Sequence, residues 1–207
     1  EIGRRADLAP GSTAEDVADD YAAVIRQQWG RPVGVMGTST GGGYAQWLAI
    51  RHPDLVERLV LGYTGHRIPA HALVEQREAV EHILAGRWRA GYAIFGRWFM
   101  PDHARLAGAA FWVLGPYVMG RPKDLRVLRI DAAADDAFDA SARIGEIRAP
   151  TLVVSGARDQ VYPPGLTREL VAGIPGARHI EYEKAGHGGP APTFPDDACR
   201  FLAEAAV

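Results

Sequence analysis

The sequence has almost no cysteine, no long apolar run and no excess of positive charge. Cys199 is the single cysteine among 207 residues, which excludes an internal disulfide and a disulfide-stapled fold. The formal net charge of −2 does not favour a polyanion, so no nucleic-acid partner is expected. No apolar run is long enough to span a bilayer, and there is no signal-peptide pattern. We therefore predict no membrane partner and a cytoplasmic location.

The composition is that of an ordinary globular chain, with 47% hydrophobic and 23% charged residues. The length is enough for one domain with a sizeable core and an insertion. Ser12 and Glu15 have the capping-box spacing, with Ser12 as the N-cap, and apolar residues then recur at helical spacing as far as Gly30. These signals predict an amphipathic helix over residues 13–29.

Four short apolar runs predict strands. Such runs suit a parallel sheet buried on both faces, although a buried helix gives a similar pattern. The predicted strands cover residues 32–36, 58–63, 149–156 and 178–183, and further predicted helices cover 42–52, 165–173 and 196–205. The fold class is therefore α/β, a mostly parallel sheet with helices on both faces. Residues 68–140 show only helical patterns and predict a cap inserted between core segments 1–67 and 141–207.

One serine lies at the corner between a predicted strand and a predicted helix. The segment "GTSTG" around Ser39 matches the pattern G-x-S-x-G, which by itself favours an ordinary glycine-rich turn. The strand before it and the helix after it instead favour a nucleophile elbow, a sharp turn that lifts the serine hydroxyl clear of the sheet. We expect Gly37 and Gly41 to lie where side chains would collide. The first amides of the helix should point at the same spot.

Two further residues lie in loops that complete this chemistry. A serine hydroxyl is a poor nucleophile at neutral pH, so it needs a base, and the base needs an orienting acid. Asp159 follows the third predicted strand and His187 follows the fourth, which is the order expected for an elbow serine. Singly, Asp159 could be a turn residue and His187 an exposed, inert histidine. Together with Ser39 they predict a catalytic triad, with no metal and no cofactor.

At these residues the chain resembles the α/β-hydrolase superfamily, in its branch of cap-bearing serine hydrolases and esterases. The resemblance rests on "VGVMGTSTGGGYAQWLAIRHPDLVERLVLGYTG", on "IGEIRAPTLVVSGARDQVYPP" and on "AGHGG". It implies Ser39 as nucleophile, His187 as base and Asp159 as the orienting carboxylate. It also implies the Thr40 backbone amide as one oxyanion donor. A serine at the elbow argues against the haloalkane dehalogenase and epoxide hydrolase branches, which use aspartate there.

The sequence departs from this family before the elbow strand. The family's sheet has more strands in that region, and a loop there supplies the second oxyanion amide. Only about thirty residues precede the elbow strand here, and they are mostly one helix. We therefore expect the N-terminal strands and the second donor to be missing from this chain. The elbow strand would then have an unpaired edge, which a missing N-terminal segment or a homo-oligomer would cover.

A stripe of aromatic residues marks the predicted cap. Trp88, Tyr92, Phe95 and Phe99 recur at i, i+4, i+7 and i+11, which places them on one face of a helix. Packing of the cap against the core would explain this stripe. The same stripe, with Trp98, could also form the roof of a substrate pocket. An aromatic roof favours a small-molecule substrate with an apolar or aromatic acyl group.

The predicted function is hydrolysis of a carboxylic ester or a related acyl bond through Ser39, His187, Asp159 and a covalent acyl-enzyme. Two alternatives stay open. The first is a non-catalytic α/β-hydrolase-like protein that binds a small molecule. The second is a cofactor-free perhydrolase or a carbon–carbon bond hydrolase of the same superfamily, because these use the same triad.

Overall fold

A four-stranded parallel sheet forms the centre of the molecule. The structure is a computed structural model that describes residues 9, 11–99, 101–118, 120, 125–189 and 191–204. The strands lie side by side in their order along the chain, and each neighbouring pair is parallel. They are β1 (Val33–Thr38), β2 (Val56–Gly62), β3 (Thr151–Gly156) and β4 (Arg178–Tyr182). The predicted parallel sheet is confirmed.

Helices cover both faces of this sheet. Leu59 and Leu61 of β2 face the larger core, whereas Val60 between them faces a smaller cluster on the other side. This alternation follows from the period of two along a strand. The larger core contains residues of α1, α2 and α7, and the smaller cluster contains residues of α8. The helices are α1 (Ala14–Gln28), α2 (Thr40–Arg51), α3 (Ala70–Leu84), α4 (Trp88–Phe99), α5 (Ala104–Val118), α6 (Leu125–Asp136), α7 (Pro164–Gly173) and α8 (Phe194–Ala203).

The start of α1 differs from the prediction by one residue. Thr13 is the N-cap, and the capping box pairs Thr13 with Asp16 rather than Ser12 with Glu15. The Asp16 amide donates to Thr13 Oγ1 at 3.3 Å, and the Thr13 amide donates to the Asp16 carboxylate at 2.8 Å. The sequence offered both registers, because each hydroxyl residue is followed three positions later by a carboxylate.

Helices α3 to α6 make up the segment predicted as a cap. The two ends of this segment meet, because Arg67 and Asp139 form an antiparallel bridge and the Ala140 amide donates to the His66 carbonyl at 2.8 Å. Within the segment, α4 and α5 pack against each other, and α3 packs against both α4 and α6. The division of the chain into core, cap and core stays a prediction, which this pairing of the segment ends supports.

Strand β1 lies at the edge of the described sheet. Within the described ranges it pairs with β2 alone, and Met36 on this strand is 54% exposed. The edge is therefore partly apolar, as the sequence predicts. In the described part of the chain, no helix combines the length and the apolar character that crossing a membrane requires.

Candidate active site

Ser39 occupies a sharp turn between β1 and α2. Strand β1 runs to Thr38 and α2 begins at Thr40, so the serine is the only residue between them. Its backbone has φ 52° and ψ −128°, a conformation that costs a residue with a side chain about 1–3 kcal/mol. The Ser39 amide donates to the Gly62 carbonyl of β2 at 2.9 Å, which holds the turn against the sheet. Strand β1 ends two residues after the predicted strand, and α2 begins two residues before the predicted helix.

Two glycines make this turn possible, but only one of them is in the predicted position. A Cβ atom on Gly37 would lie 2.3 Å from the Gly41 carbonyl oxygen and 2.7 Å from Ala45 Cβ. At Gly41 a Cβ atom would meet nothing within 4 Å, so the expectation of a collision there was wrong. The second crowded position is Gly42, where a Cβ atom would lie 2.5 Å from the Thr64 side chain.

Asp159 lies in the loop after β3, and its side chain is almost fully buried. Its Oδ1 accepts the Val161 amide at 2.8 Å and the Tyr162 amide at 2.9 Å. These bonds fix the carboxylate within its own loop. The Arg158 amide also donates to the Ala185 carbonyl at 2.9 Å, which joins this loop to the loop after β4.

His187 lies in a narrow turn after β4. Gly186 and Gly189 form an antiparallel bridge on either side of it, and the Gly186 amide donates to the Gly189 carbonyl at 2.8 Å. Gly188 between them has φ 83°, which favours glycine. The histidine is 5% exposed, so the predicted alternative of an exposed, inert side chain does not describe it.

The three predicted side chains meet at the carboxyl edge of the sheet. His187 Nε2 lies 2.9 Å from Ser39 Oγ, and His187 Nδ1 lies 3.0 Å from Asp159 Oδ2. An ionised carboxylate only accepts hydrogen bonds, so in the neutral imidazole Nδ1 carries the proton and donates to Asp159. Nε2 then has a free lone pair and accepts the Ser39 hydroxyl. This tautomer is the one that can remove a proton from the serine.

The first turn of α2 offers amide groups next to Ser39. The early N–H groups of a helix have no acceptor within that helix, and they attract negative charge. Thr40 is the first residue of α2, so its amide lies directly beyond the serine. The Gly42 amide already donates to the Ser39 carbonyl at 2.9 Å. Thr40 therefore stays the predicted oxyanion donor.

The predicted aromatic residues all lie on α4, but they divide into two groups. The rings of Trp98 and Phe99 have their centroids 6.0 Å and 6.4 Å from that of His187, and Phe95 packs against Trp98 at 5.0 Å. Tyr92 instead donates its hydroxyl to the Gly120 carbonyl at 2.5 Å, within the cap. Trp88 lies about 15 Å from Trp98 along the helix axis, given the rise per residue.

Trp88 lines a surface groove at the far end of α4, beside Trp112 and Tyr117. The structure therefore brings Phe95, Trp98 and Phe99 toward the triad and leaves Trp88 and Tyr92 in the cap. The predicted stripe spans three helical turns, and only its C-terminal end reaches the sheet edge. The substrate-contact role of Trp88 and Tyr92 stays a prediction.

Sequence reasoning missed two tyrosines that surround the histidine. The ring centroids of Tyr63 and Tyr162 lie 6.3 Å and 5.7 Å from that of His187. Burial raises the pKa of the Tyr63 phenol to about 12 and also raises the pKa of Tyr162, so both are neutral at physiological pH. Tyr63 directly follows β2, and Tyr162 lies in the loop after β3, which also holds Asp159. Their positions after strands of a parallel sheet were the available signal.

Asp135 was also missed, because no motif marks it. It lies on α6, is 4% exposed and accepts hydrogen bonds from Tyr44 of the elbow helix and Gln76 of α3. Within the described ranges, no group of three His, Cys, Asp or Glu side chains is arranged to hold a metal ion.

Comparisons with known proteins agree with this geometry. The model of the alpha/beta hydrolase family matches residues 3–205. A pimeloyl-(acyl-carrier protein) methyl ester esterase of Neisseria meningitidis is 29% identical over 181 residues, covering 84% of this chain and 68% of that protein. A protein of the same name from Chromobacterium violaceum is 32% identical over 197 residues, covering 90% of this chain and 75% of that protein.

Solved structures are similar as well. The enol-lactonase from Burkholderia xenovorans LB400 superposes with a TM-score of 0.75 at 28% identity, covering 96% of this chain and 76% of that structure. The chain spans only 55% to 68% of the length of the Neisseria meningitidis relatives.

Proposed function

The chain belongs to the alpha/beta hydrolase family, and on that premise we propose that it is a serine hydrolase of carboxylic esters or related acyl bonds. The observation that carries this proposal is the 2.9 Å contact between Ser39 Oγ and His187 Nε2, made at a strained turn. A serine held in this conformation presents its hydroxyl to a bound acyl group instead of burying it in a helix.

In the first half of the proposed reaction, His187 Nε2 removes the Ser39 proton while Oγ attacks the carbonyl carbon of the ester. The carbonyl oxygen gains negative charge, and the Thr40 amide stabilises it. Asp159 stabilises the imidazolium, because its Oδ2 accepts a hydrogen bond from Nδ1 over 3.0 Å. Nε2 then gives its proton to the leaving alkoxide, which departs as an alcohol, and the acyl group stays on Ser39.

In the second half, water replaces the alcohol. His187 Nε2 removes a proton from water, the hydroxide attacks the acyl carbon, and the second tetrahedral intermediate collapses. Nε2 returns the proton to Ser39 Oγ, and the carboxylic acid is released. These steps use no cofactor and no metal.

The rings around the triad support an apolar or aromatic acyl group. Trp98, Phe99 and Tyr162 lie within contact reach of the imidazole, and the two described tyrosines at the site are neutral. The relatives named above act on a methyl ester and, in the lactonase, on a cyclic ester by name. We therefore propose small open or cyclic carboxylic esters with an apolar acyl group as the substrate class. The cytoplasmic location predicted from the sequence is a separate part of the proposal.

A fluorophosphonate probe tests this function, because it phosphonylates only serines that a base activates. We expect the folded wild-type protein to be labelled and to hydrolyse p-nitrophenyl butyrate, and Ser39→Ala to lose both properties. Ser155→Ala is the matched control. Ser155 Oγ also lies 2.9 Å from a histidine, His179, but the residue is buried in β3.

Labelling should therefore survive in Ser155→Ala. A well-folded wild-type protein that neither takes up the probe nor hydrolyses esters would instead favour the non-catalytic binding protein. Turnover of a peroxy acid or a carbon–carbon substrate in preference to esters, with labelling intact, would favour the second alternative.

A further inference from the structure

A continuous path of contacts runs from the elbow helix through the cap to the histidine of the triad. It begins on α2, where the Tyr44 hydroxyl donates to Asp135 Oδ1 at 3.2 Å. The Thr40 hydroxyl also points at Asp135 Oδ2, at 3.4 Å, which is long for such a bond. Tyr44 therefore makes the firmer attachment of Asp135 to the elbow helix.

From Asp135 the path continues across two cap helices. Gln76 of α3 donates its side-chain amide to Asp135 Oδ2 at 2.5 Å. The preceding residue, Glu75, accepts the indole N–H of Trp98 at 2.5 Å. Asp135 and Trp98 are thus held by neighbouring residues of the same helix.

The path ends at His187, where Trp98 makes two contacts. Its ring meets the imidazole edge-on, with centroids 6.0 Å apart, and its backbone carbonyl accepts the His187 amide at 3.2 Å. Ser39 directly precedes α2, where the path begins, and its hydroxyl contacts His187, where the path ends. The contacts therefore form a closed ring that includes the proposed nucleophile and base.

Because Asp135 is buried, its carboxylate depends on hydrogen bonds from the protein. A carboxylate that is 96% buried stays charged only when hydrogen bonds replace its lost water. Removing one of its two acceptor oxygens leaves a donor from α2 or from α3 without that acceptor. Asp135 therefore links α3 to α2 through a shared pair of acceptor oxygens.

We propose that Asp135 is a positioning residue: it fixes the cap on the elbow helix so that Trp98 lies against His187. This role rests on the proposed function, because it acts through the base of the triad. Asp135 does not touch the reacting atoms. It sets the distance between the cap and the triad.

A double-mutant cycle tests the path. Asp135→Asn keeps the size of the side chain but leaves one acceptor oxygen instead of two, and Glu75→Gln weakens the hold on Trp98. We expect each to lower kcat for p-nitrophenyl butyrate about tenfold with KM changed less than about twofold, because a displaced group weakens the transition state more than binding. The double variant should be no slower than the slower single variant, because both substitutions break one path.

Asp136→Asn is the matched control, since Asp136 lies next to Asp135 but is exposed and pairs with Arg77. It should keep kcat within about twofold, in line with the small contribution of exposed ion pairs. Hydrogen exchange of the α4 amides provides a second readout that needs no substrate. Exchange should be faster in Asp135→Asn than in Asp136→Asn.

The outcomes separate this proposal from the proposed function. An unchanged kcat in Asp135→Asn, or losses that multiply in the double variant, would overturn the positioning role. If the wild-type protein lacks esterase activity, the proposed function fails first. Hydrogen exchange then tests the positioning role by itself. Faster exchange of the α4 amides in Asp135→Asn than in Asp136→Asn would support it, and equal exchange in the two variants would overturn it.

Discussion

The sheet core of this molecule buries its large side chains more completely than the cap does. The largest fully buried side chains in the described part all lie outside residues 68–140, among them Leu59, Leu152 and Leu170. The cap also buries apolar side chains such as Ile83 and Ile94, but its helix α5 buries only the small residues Ala107, Gly108 and Gly115. Most of the exposed large apolar residues of the described chain lie in the cap, namely Val74, Leu106, Trp112, Val113, Leu114, Tyr117, Val118 and Leu125.

This difference explains how the two regions divide the work. The core is held by large apolar side chains on both faces of the sheet, so its loops can hold Ser39, Asp159 and His187 in fixed positions. In the cap, helices approach closely at small residues such as Gly115, and Ile68 and Phe138 pack into the larger core beside a few polar contacts. On the proposal above, the contacts of Asp135 fix where the cap lies against His187.

The largest effect is expected in the core, at the triad base. His187→Ala removes the group that accepts the Ser39 proton, so ester hydrolysis should fall by about 10⁴- to 10⁶-fold while the fold stays intact. Steady-state kinetics and circular dichroism measure the two properties. His179→Gln, at the other serine–histidine contact, should leave turnover nearly unchanged. Near-normal turnover in His187→Ala would show that another group is the base.

A smaller effect, on the free energy of unfolding, is expected at the two glycines of the elbow, and it should differ between Gly37 and Gly41. A Cβ atom at position 37 meets backbone at 2.3 Å, so Gly37→Ala should lower the free energy of unfolding by about 1–3 kcal/mol and displace the serine. Position 41 is open, so Gly41→Ala should be neutral or stabilising by up to about 1 kcal/mol. Urea denaturation compares the two variants, and equal losses would contradict the geometry of the turn.

The corresponding cap variant sharpens the comparison. A Cβ atom on Gly115 would lie 2.6 Å from Tyr92, so Gly115→Ala should also lower stability, by about 1–3 kcal/mol. Because the elbow lies in the core, fluorophosphonate labelling of Ser39 should survive in Gly115→Ala and be lost or slowed in Gly37→Ala. Loss of labelling in both variants would show that the two regions are not separable in this way.

The smallest effect is expected at the junction between core and cap, where His66 is 4% exposed. Burial, with the adjacent Arg67 charge, lowers the pKa of His66 below its ordinary value of 6.5, although Glu169 and Asp139 oppose the shift. Between the lowered pKa and 6.5 the unfolded chain binds more protons than the folded one. Stability contributed by the neutral His66 is therefore lost as pH falls through this window.

His66→Gln should remove that dependence. The difference in unfolding free energy between wild type and variant should decrease as pH falls below 6.5, with a slope of at most about 1.4 kcal/mol per pH unit. Urea titrations between neutral and mildly acidic pH measure it. Since burial also lowers the pKa of His179, the variant and not the wild-type curve alone is informative. A constant difference across this range would contradict the assignment.

The core was predictable because its signals are local. The apolar runs gave the four strands, and the residues that follow three of them include Ser39, Asp159 and His187. Errors there were small: the capping box shifted by one residue because two overlapping registers were available. Gly41 was misassigned because the collision depends on the exact path of the first helical turn.

The cap was predictable only as helices. The stripe from Trp88 to Phe99 shows the period of α4 but not where along the helix the sheet edge lies. Asp135 lies 95 residues from Thr40 along the chain, and no local pattern records that contact. Tyr63 and Tyr162 do have a local signal, their positions after strands, but their contacts with His187 depend on how the strands pack. Local patterns therefore predict the candidate triad, whereas the contacts around it depend on long-range packing.

The most direct test of the central claim is a peptide mass map of the folded, full-length protein after reaction with the fluorophosphonate. If Ser39 is the nucleophile that His187 activates, one adduct should appear on the peptide that contains Ser39, and denaturation before labelling should abolish it. An adduct at Ser155 or at any other serine, or a folded protein that hydrolyses esters without an adduct at Ser39, would contradict the account.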